Sequence, residues 1–546
     1  MAWTRGLRGH QDTLQSRVIH ADRPSTASAT PRVSCLTGWL ARGVVADWLD
    51  NLILAITDPV RREYIVPLLM IVYVLLWTIY AVLAKGSQDI HFDMGETVVW
   101  SRNVTFGTPK HPPFSAWLSR AWFDIFPCAD WAFYLLAMTL AGVALWCAWR
   151  LSMQYLSGDK LALATVLLTF VPFYNFHALK FNANTVMIPL WALATWSFVH
   201  SFRTRTTGWA ALAGIAAAGV MLGKYWGIFL LLGFGLAALI DPRRRAYFRS
   251  AAPWVSIAVG LLALTPHLVW IVTHRFVTFT YAMQSHYDPL RNVFRTSLEY
   301  IPGAIAYAAI PILITLLATR PDIETIGDTV RPDDPDRRLA LSILVLPLVA
   351  PPIASIAAHS GVTSLWTMGG LTLLPAVLLS SPLAHVSRLA TRRVLAIALA
   401  APFLAIAAAP VAAFLIHLRG PDNHMAHYRL LANAVEHVWH ETTPRPLSLV
   451  GGEEPIINGI AFYAADAPST LDIFNPGVTP WGNQARIERD GIAWICPASD
   501  LPCVKGIAAR IATGPVGKRL EISISRTYLG IAGAPERYLI VTTPPR

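Results

Sequence analysis

The chain has 546 residues and a formal net charge of +11, yet only 14% of its residues are charged and 54% are hydrophobic. Soluble domains carry about 25% charged residues, whereas here the apolar residues recur in runs of roughly 17 to 24, each long enough to cross a bilayer as a helix. A soluble globular fold is excluded. The basic residues sit in short clusters between those runs and form no face or stripe, which points to membrane orientation and away from nucleic acid.

The first sixty or so residues are polar, rich in Arg, Ser and Thr, and contain no apolar stretch followed by a cleavage site. Residues 1–62 therefore read as a cytoplasmic lead-in that is disordered or lies on the surface. Hydropathy then predicts about eleven transmembrane helices, at 64–84, 131–151, 161–173, 185–202, 209–222, 226–240, 253–273, 301–319, 339–358, 364–380 and 394–418, within a membrane domain spanning 63–419. The third and fifth are short. If the first span leaves the cytoplasm, Arg150 and Lys160, Arg203 and Arg205, Arg243 to Arg245 with Arg249, the 320–338 loop, and Arg388 with Arg392 and Arg393 all fall in cytoplasmic loops. The positive-inside rule then sets the N-terminus in and the C-terminus out.

From Gly420 onward the composition is that of a small soluble domain, residues 420–546. A helix is expected over 425–440, followed by strands at 447–450, 460–463, 492–496, 520–525 and 538–543, giving a compact α/β periplasmic domain. The five cysteines show no metal-ligand spacing. Cys496 and Cys503 lie close enough for a disulfide in an oxidising compartment, with two unpaired thiols as the alternative.

Chemistry is expected in the non-cytoplasmic loop 85–130, directly beyond the first span. Asp93 and Glu96 are three apart and would share a helical face, with His91 at the same rim. Such a group suits a divalent cation, or a carboxylate that accepts a proton from a hydroxyl. The pattern permits the metal, at His91, Asp93 and Glu96, without requiring it. Further on, Lys110-His111-Pro112-Pro113 sets two potential cations on a stretch stiffened by proline, as a phosphate clamp at a membrane surface needs. Lys224 lies between two apolar spans, where an ammonium must snorkel or meet an anion. The 274–299 loop adds His286 and Arg291.

The stretch Asp93 to Leu118, DMGETVVWSRNVTFGTPKHPPFSAWL, resembles the first periplasmic loop of the bacterial glycosyltransferase 39/83 families, GT-C enzymes that use polyprenyl-phosphate sugars and include aminoarabinose transferases of lipid A and protein O-mannosyltransferases. Matched through Trp100-Ser101-Arg102 and His111-Pro112-Pro113, the family's catalytic aspartate falls on Asp93 and its phosphate-side basic residue on His111. The second acid of the family's pair falls on Met94, leaving Glu96 as its neighbouring substitute, and the acid common before His-Pro-Pro is Lys110 here. Gly223-Lys224-Tyr225 and Pro266-His267-Leu268-Val269-Trp270 are similar to further family segments. Asn184 stands where many relatives carry an aspartate, and an amide can hydrogen-bond a sugar but cannot act as a base.

The resemblance implies a GT-C fold and a glycosyltransferase of the bacterial inner membrane. The donor would be a polyprenyl-phosphate-linked sugar, and the acceptor a hydroxyl on a lipid, glycan or protein, with inversion at the anomeric carbon. Asp93 and Glu96 would be the catalytic acids, Lys110, His111 and Lys224 the donor-phosphate ligands, and Asn184, Tyr225, His286 and Arg291 the substrate contacts. Membrane lipids would surround the chain. The rivals are a transporter or flippase of lipid-linked glycans and a non-catalytic family member. A transporter would place charged or helix-breaking residues near the middle of paired spans, whereas here the ionisable groups gather at one face.

Overall fold

The computed structural model of the protein describes residues 43–511 and 516–546. Seven helices among these are long and apolar enough to cross a membrane: Arg62–Ala84, Asp130–Ser152, Ala183–Thr204, Ala252–Thr273, Leu290–Thr319, Pro335–Ala358 and Arg388–Arg419. The first has two distinct faces. Val66, Met70, Tyr73, Trp77 and Ala81 recur every three or four residues and are buried, while Leu75 and Ile79 between them remain exposed. That arrangement turns one stripe to the bundle and the other to lipid. Two shorter apolar helices, Thr207–Gly223 and Ile228–Ile240, are separated by a break at Lys224 and a single 3-10 turn.

Two of the eleven expected spans are not continuous helices. Residues 161–173 form a helix, Gly158–Leu167, followed by two 3-10 turns. Pro172 has no N–H to continue the ladder, and Val171 before it is held extended. Asn175 compensates by donating to the freed carbonyls of Thr169 at 2.9 Å and Val171 at 3.3 Å. Residues 364–380 likewise break into a 3-10 turn, Ser364–Thr367, and a short helix, Leu374–Leu379. Both stretches are largely buried within the protein, the setting in which irregular backbone is tolerated at membrane depth.

Residues 1–42 of the expected lead-in lie outside the described residues. The remainder is ordered: Val44–Thr57 is an amphipathic helix that buries Leu49, Ile53 and Ile56. It is tied to the last long helix by Arg392, whose Nε donates to Asp50 Oδ1 at 2.6 Å.

After Arg419 the chain builds a cap. A helix, Tyr428–Thr442, precedes a five-stranded sheet in the order Ser469–Asp472, Leu449–Gly452, Ile492–Pro497, Glu536–Thr543, Arg519–Ile524. The first three strands are parallel, and Glu536–Thr543 runs antiparallel to both its neighbours. The strand expected at 460–463 is instead the end of a helix, Glu454–Tyr463. Ile456, Ile457, Ile460 and Ala461 are all buried at helical spacing, and the real edge strand follows at Ser469–Asp472. Cys496 and Cys503 form a disulfide that joins a central strand to the helix after it.

One fully buried carboxylate docks the cap onto the helix bundle. Asp89, just past the first span, accepts from Arg526 Nη1 at 2.7 Å and from the Arg429 backbone N–H at 3.0 Å, while its own N–H donates to Met425 O at 2.7 Å. Its side chain has no solvent exposure. Asp89→Ala would leave the half-buried Arg526 guanidinium and a backbone donor without their carboxylate, so stability should fall by roughly 2 kcal/mol. Denaturant unfolding of the purified protein in detergent measures the loss, and Arg526→Lys, which keeps the charge, should cost less.

Candidate active site

The loop after the first span folds into a short helix, Phe92–Arg102. His91 caps it, its Nδ1 accepting the Asp93 N–H at 3.2 Å, and Asp93 in the first turn meets the positive end of the helix dipole. The far end is pinned to the cap by Arg102, which donates to Ala461 O at 2.7 Å and Pro468 O at 2.5 Å. Between these ends the helix lies directly on the cap helix Glu454–Tyr463. A Cβ at Gly95 would stand 2.5 Å from Asn458 O, so only glycine allows the approach.

Asp93 is held from a distant segment. Its Oδ2 is 2.9 Å from Lys180 Nζ and accepts from Asn182 Nδ2 at 3.0 Å. Burial opposes its ionisation, but the His91 ring and the Lys180 ammonium outweigh burial and keep the carboxyl well below its ordinary range. Asn182 also caps the helix Ala183–Thr204 through its Oδ1, so one side chain fixes both the helix start and the carboxylate. The sequence reading gave neither Lys180 nor Asn182 a role at Asp93. The signal in the sequence is the Asn-Ala-Asn stretch, whose second amide, Asn184, accepts from Lys224 Nζ at 2.7 Å while its first, Asn182, holds Asp93.

Glu96 and Lys110 meet each other and a third residue from the cap. Lys110 Nζ is 2.8 Å from Glu96 Oε1 and also contacts Glu454 Oε1, with the lysine side chain only 9% exposed. Burial raises the Glu96 carboxyl above its usual range. Glu454, despite its own burial, is held down by a hydrogen bond with Glu96 and by the Lys110 charge. One carboxylate is therefore ionised against one ammonium, and Lys110 is neutralised by acids where the sequence suggested a free phosphate ligand. Glu454, about 340 residues away in sequence, went unnoticed because nothing local marks it.

His111 is set by a tight turn in which its N–H donates to Thr108 Oγ1 at 3.0 Å and its carbonyl accepts from Thr108 N at 3.1 Å. Burial, with Lys224 and Lys110 nearby, pushes its pKa down to about 3, so the ring is neutral. Lys224, in the break between two short apolar helices, lies 4.4 Å over the Trp366 ring. Desolvation lowers it to about 7. Tyr225 hydrogen-bonds His267 at 3.0 Å.

Asp93, Glu96, Lys110, His111, Asn184, Lys224, Tyr225 and His286 all line one cavity of about 530 Å³, together with Asn182, Tyr281, Trp366 and Glu454. Arg291 does not; it is exposed on the helix Leu290–Thr319. Nor do His91, Asp93 and Glu96 form a ligand triad, because Glu96 is turned to Lys110 and Glu454 while Asp93 is turned to Lys180 and Asn182. Among the described residues the group with ligand atoms close enough for a metal is His424, His427 and Glu536, in the cap, where Tyr538 Oη already bonds both imidazoles at 2.9 and 2.8 Å.

The helical bundle, the acid-bearing loop and the cap together define a polytopic membrane protein of the GT-C fold. Two solved structures share it: ArnT from Cupriavidus metallidurans in the apo state, with a TM-score of 0.56 and 12% identity, and the same protein bound to undecaprenyl phosphate, with 0.53 and 10%. Each match covers 87% of this chain and 97% of the other. The profile of the family described as dolichyl-phosphate-mannose-protein mannosyltransferase matches residues 110–270. The lipid A galacturonosyltransferase RgtD of Rhizobium johnstonii is 24% identical over 241 residues, 43% of this chain, and the match spans about half of that relative, 49%. The likeness to ArnT shows a shared fold, and the family profile and the RgtD match each cover less than half of this chain.

Two outcomes follow from this geometry. Lys224 is charged below about pH 7 and neutral above it. The ratio of wild-type to Lys224→Met affinity for a polyprenyl phosphate should therefore fall as pH rises from 6 to 9, as read by equilibrium binding in detergent. Gly95→Val should force the loop helix off the cap helix and expose Lys110, which hydrogen exchange over 92–102 and 454–463 would show as faster labelling.

Proposed function

We propose that this protein is a membrane glycosyltransferase. It moves one sugar from a polyprenyl-phosphate donor to a hydroxyl on a lipid, glycan or protein acceptor, at the periplasmic face of the bacterial inner membrane, with inversion. The observation that carries this reading is that Asp93 and Lys224 face the same cavity of about 530 Å³, each oriented by one of the paired amides Asn182 and Asn184. The ArnT structure with undecaprenyl phosphate and the name of the RgtD relative supply the class of donor and one kind of acceptor.

The acceptor oxygen bonds to the anomeric carbon as the bond from that carbon to the phosphate oxygen breaks, and the electron pair leaves on the phosphate. The hydroxyl proton passes to Asp93. A phosphate leaving group needs no protonation, so the demand on the protein is charge stabilisation, which falls to the Lys224 ammonium with Tyr225 and His286 beside it. The acceptor hydroxyl turns acidic only as its new bond forms. A weak base such as Asp93, with its pKa held down, then suffices, provided that it is correctly placed. Neutral His111 serves as a hydrogen-bonding wall and not as a counter-charge.

Purified protein with a labelled polyprenyl-phosphate sugar and a membrane lipid extract tests the reading. Wild type should transfer label, and Asp93→Asn, which keeps the shape of the side chain, should lower the rate by about 10²- to 10⁴-fold. Undiminished transfer by that variant would remove Asp93 from the chemistry.

A further inference from the structure

Asp93 lines the larger cavity, and its ion-pair partner Lys180 lines a second one. This second cavity, of about 300 Å³, is lined by Lys85, His91, Lys180 and Arg419 together with apolar groups such as Tyr134 and Phe176. We infer that this second cavity binds an oxyanion, phosphate or carboxylate, carried by the acceptor, and so presents the neighbouring acceptor hydroxyl to Asp93. The inference rests on the transferase reading above and names the substrate class of its acceptor side.

Three observations carry it. The first is charge without partners. Lys85 and Arg419 close the C-terminal ends of Arg62–Ala84 and Arg388–Arg419, and among the described residues neither has a carboxylate within ion-pair distance. Cations at helix C-termini commonly meet the helix dipole alone, but these two converge on one concave space with Lys180 as a third. Of the acids lining the same space, Asp89 is already used by Arg526 and Arg429, and Asp422 lies beyond ion-pair distance of both Lys85 and Arg419. Burial of Lys85 lowers its pKa for want of a partner, and a bound anion would reverse that cost.

The second is direction. A single inverting displacement needs the acceptor oxygen and the leaving phosphate on opposite faces of the anomeric carbon. Lys224 lines the larger cavity and not the smaller, whereas Lys85 and Arg419 line the smaller and not the larger. Asp93 lines the cavity of Lys224 and is bonded to Lys180, which lines the cavity of Lys85 and Arg419.

The third is the shared ligand. Lys180 lines the second cavity, is 41% exposed, and contacts Asp93 Oδ2 at 2.9 Å. An oxyanion arriving there competes with Asp93 for Lys180, loosening the ion pair that weakens the carboxylate as a base. Acceptor binding and readiness of the base would thus be linked through one ammonium.

The test compares a phosphorylated disaccharide glycolipid, the same lipid bearing a uronic acid in place of the phosphate, and the uncharged form, as acceptors for wild type, Lys85→Ala, Arg419→Ala and Lys85→Arg. The alanine variants should raise KM for a charged acceptor at least tenfold more than for the uncharged one, and Lys85→Arg should restore most of the difference. Preference between the two charged lipids identifies the oxyanion. Equal effects on charged and uncharged acceptors, or none, would overturn the inference while leaving the transferase reading intact. Were wild type to transfer no sugar, the transferase reading would fail by itself. Equilibrium binding of the phosphorylated and uncharged glycolipids to the same variants would then decide the cavity, with unchanged selectivity counting against it.

Discussion

The ammonium of Lys110 lies between the carboxyls of Glu96 and Glu454, and this buried contact joins two parts of one loop to a cap residue 344 positions further along the chain. Glu96 comes from the loop helix, Lys110 from the proline-stiffened turn, and Glu454 from the first turn of a cap helix. A buried charge is tolerated only where its partners are in place, so the turn that carries His111, the helix that carries Asp93 and the cap must adopt their positions together. Gly95 makes the same demand sterically by letting the two helices touch. The cap is accordingly part of the cavity wall.

Around that fixed frame, charge is divided by side. The larger cavity receives Lys224, with its charge lightly held, and a neutral His111; the smaller receives Lys85, Lys180 and Arg419. Asp93 lines the larger, with His91 at its Oδ1 and with Lys180, which lines the smaller, and Asn182 both at its Oδ2. In the displacement proposed above, its low basicity would cost little because the leaving group is already an anion, and its fixed orientation would supply what such a step chiefly requires.

Much of this was legible locally. Continuous apolar runs with no internal charge, such as the one ending at Ala84, form helices whatever surrounds them, because an unpaired backbone cannot exist in lipid. The errors arose where protein replaces lipid as the surroundings. The 161–173 and 364–380 runs have the hydropathy of spans but break, since buried neighbours and the Asn175 side chain can satisfy a bent backbone. In the cap, 460–463 looked like a strand because a short apolar run fits either period, and only its burial on a helical face decides the matter. Arg291 was placed near the substrate by its loop and was moved out by the helix that absorbs it.

The sequence by itself determined the membrane class, the position of the acid-bearing loop after the first span, and Asp93, His111 and Lys224 as the residues to watch, because hydropathy and local spacing are properties of contiguous residues. Tertiary structure alone decided the partners: Glu454 for Lys110, Lys180 and Asn182 for Asp93, Asn184 for Lys224. It thereby set which of these groups keep a free charge. Charge and basicity depend on what lies within a few ångströms in space, and no spacing along the chain encodes a neighbour 40 to 344 residues away.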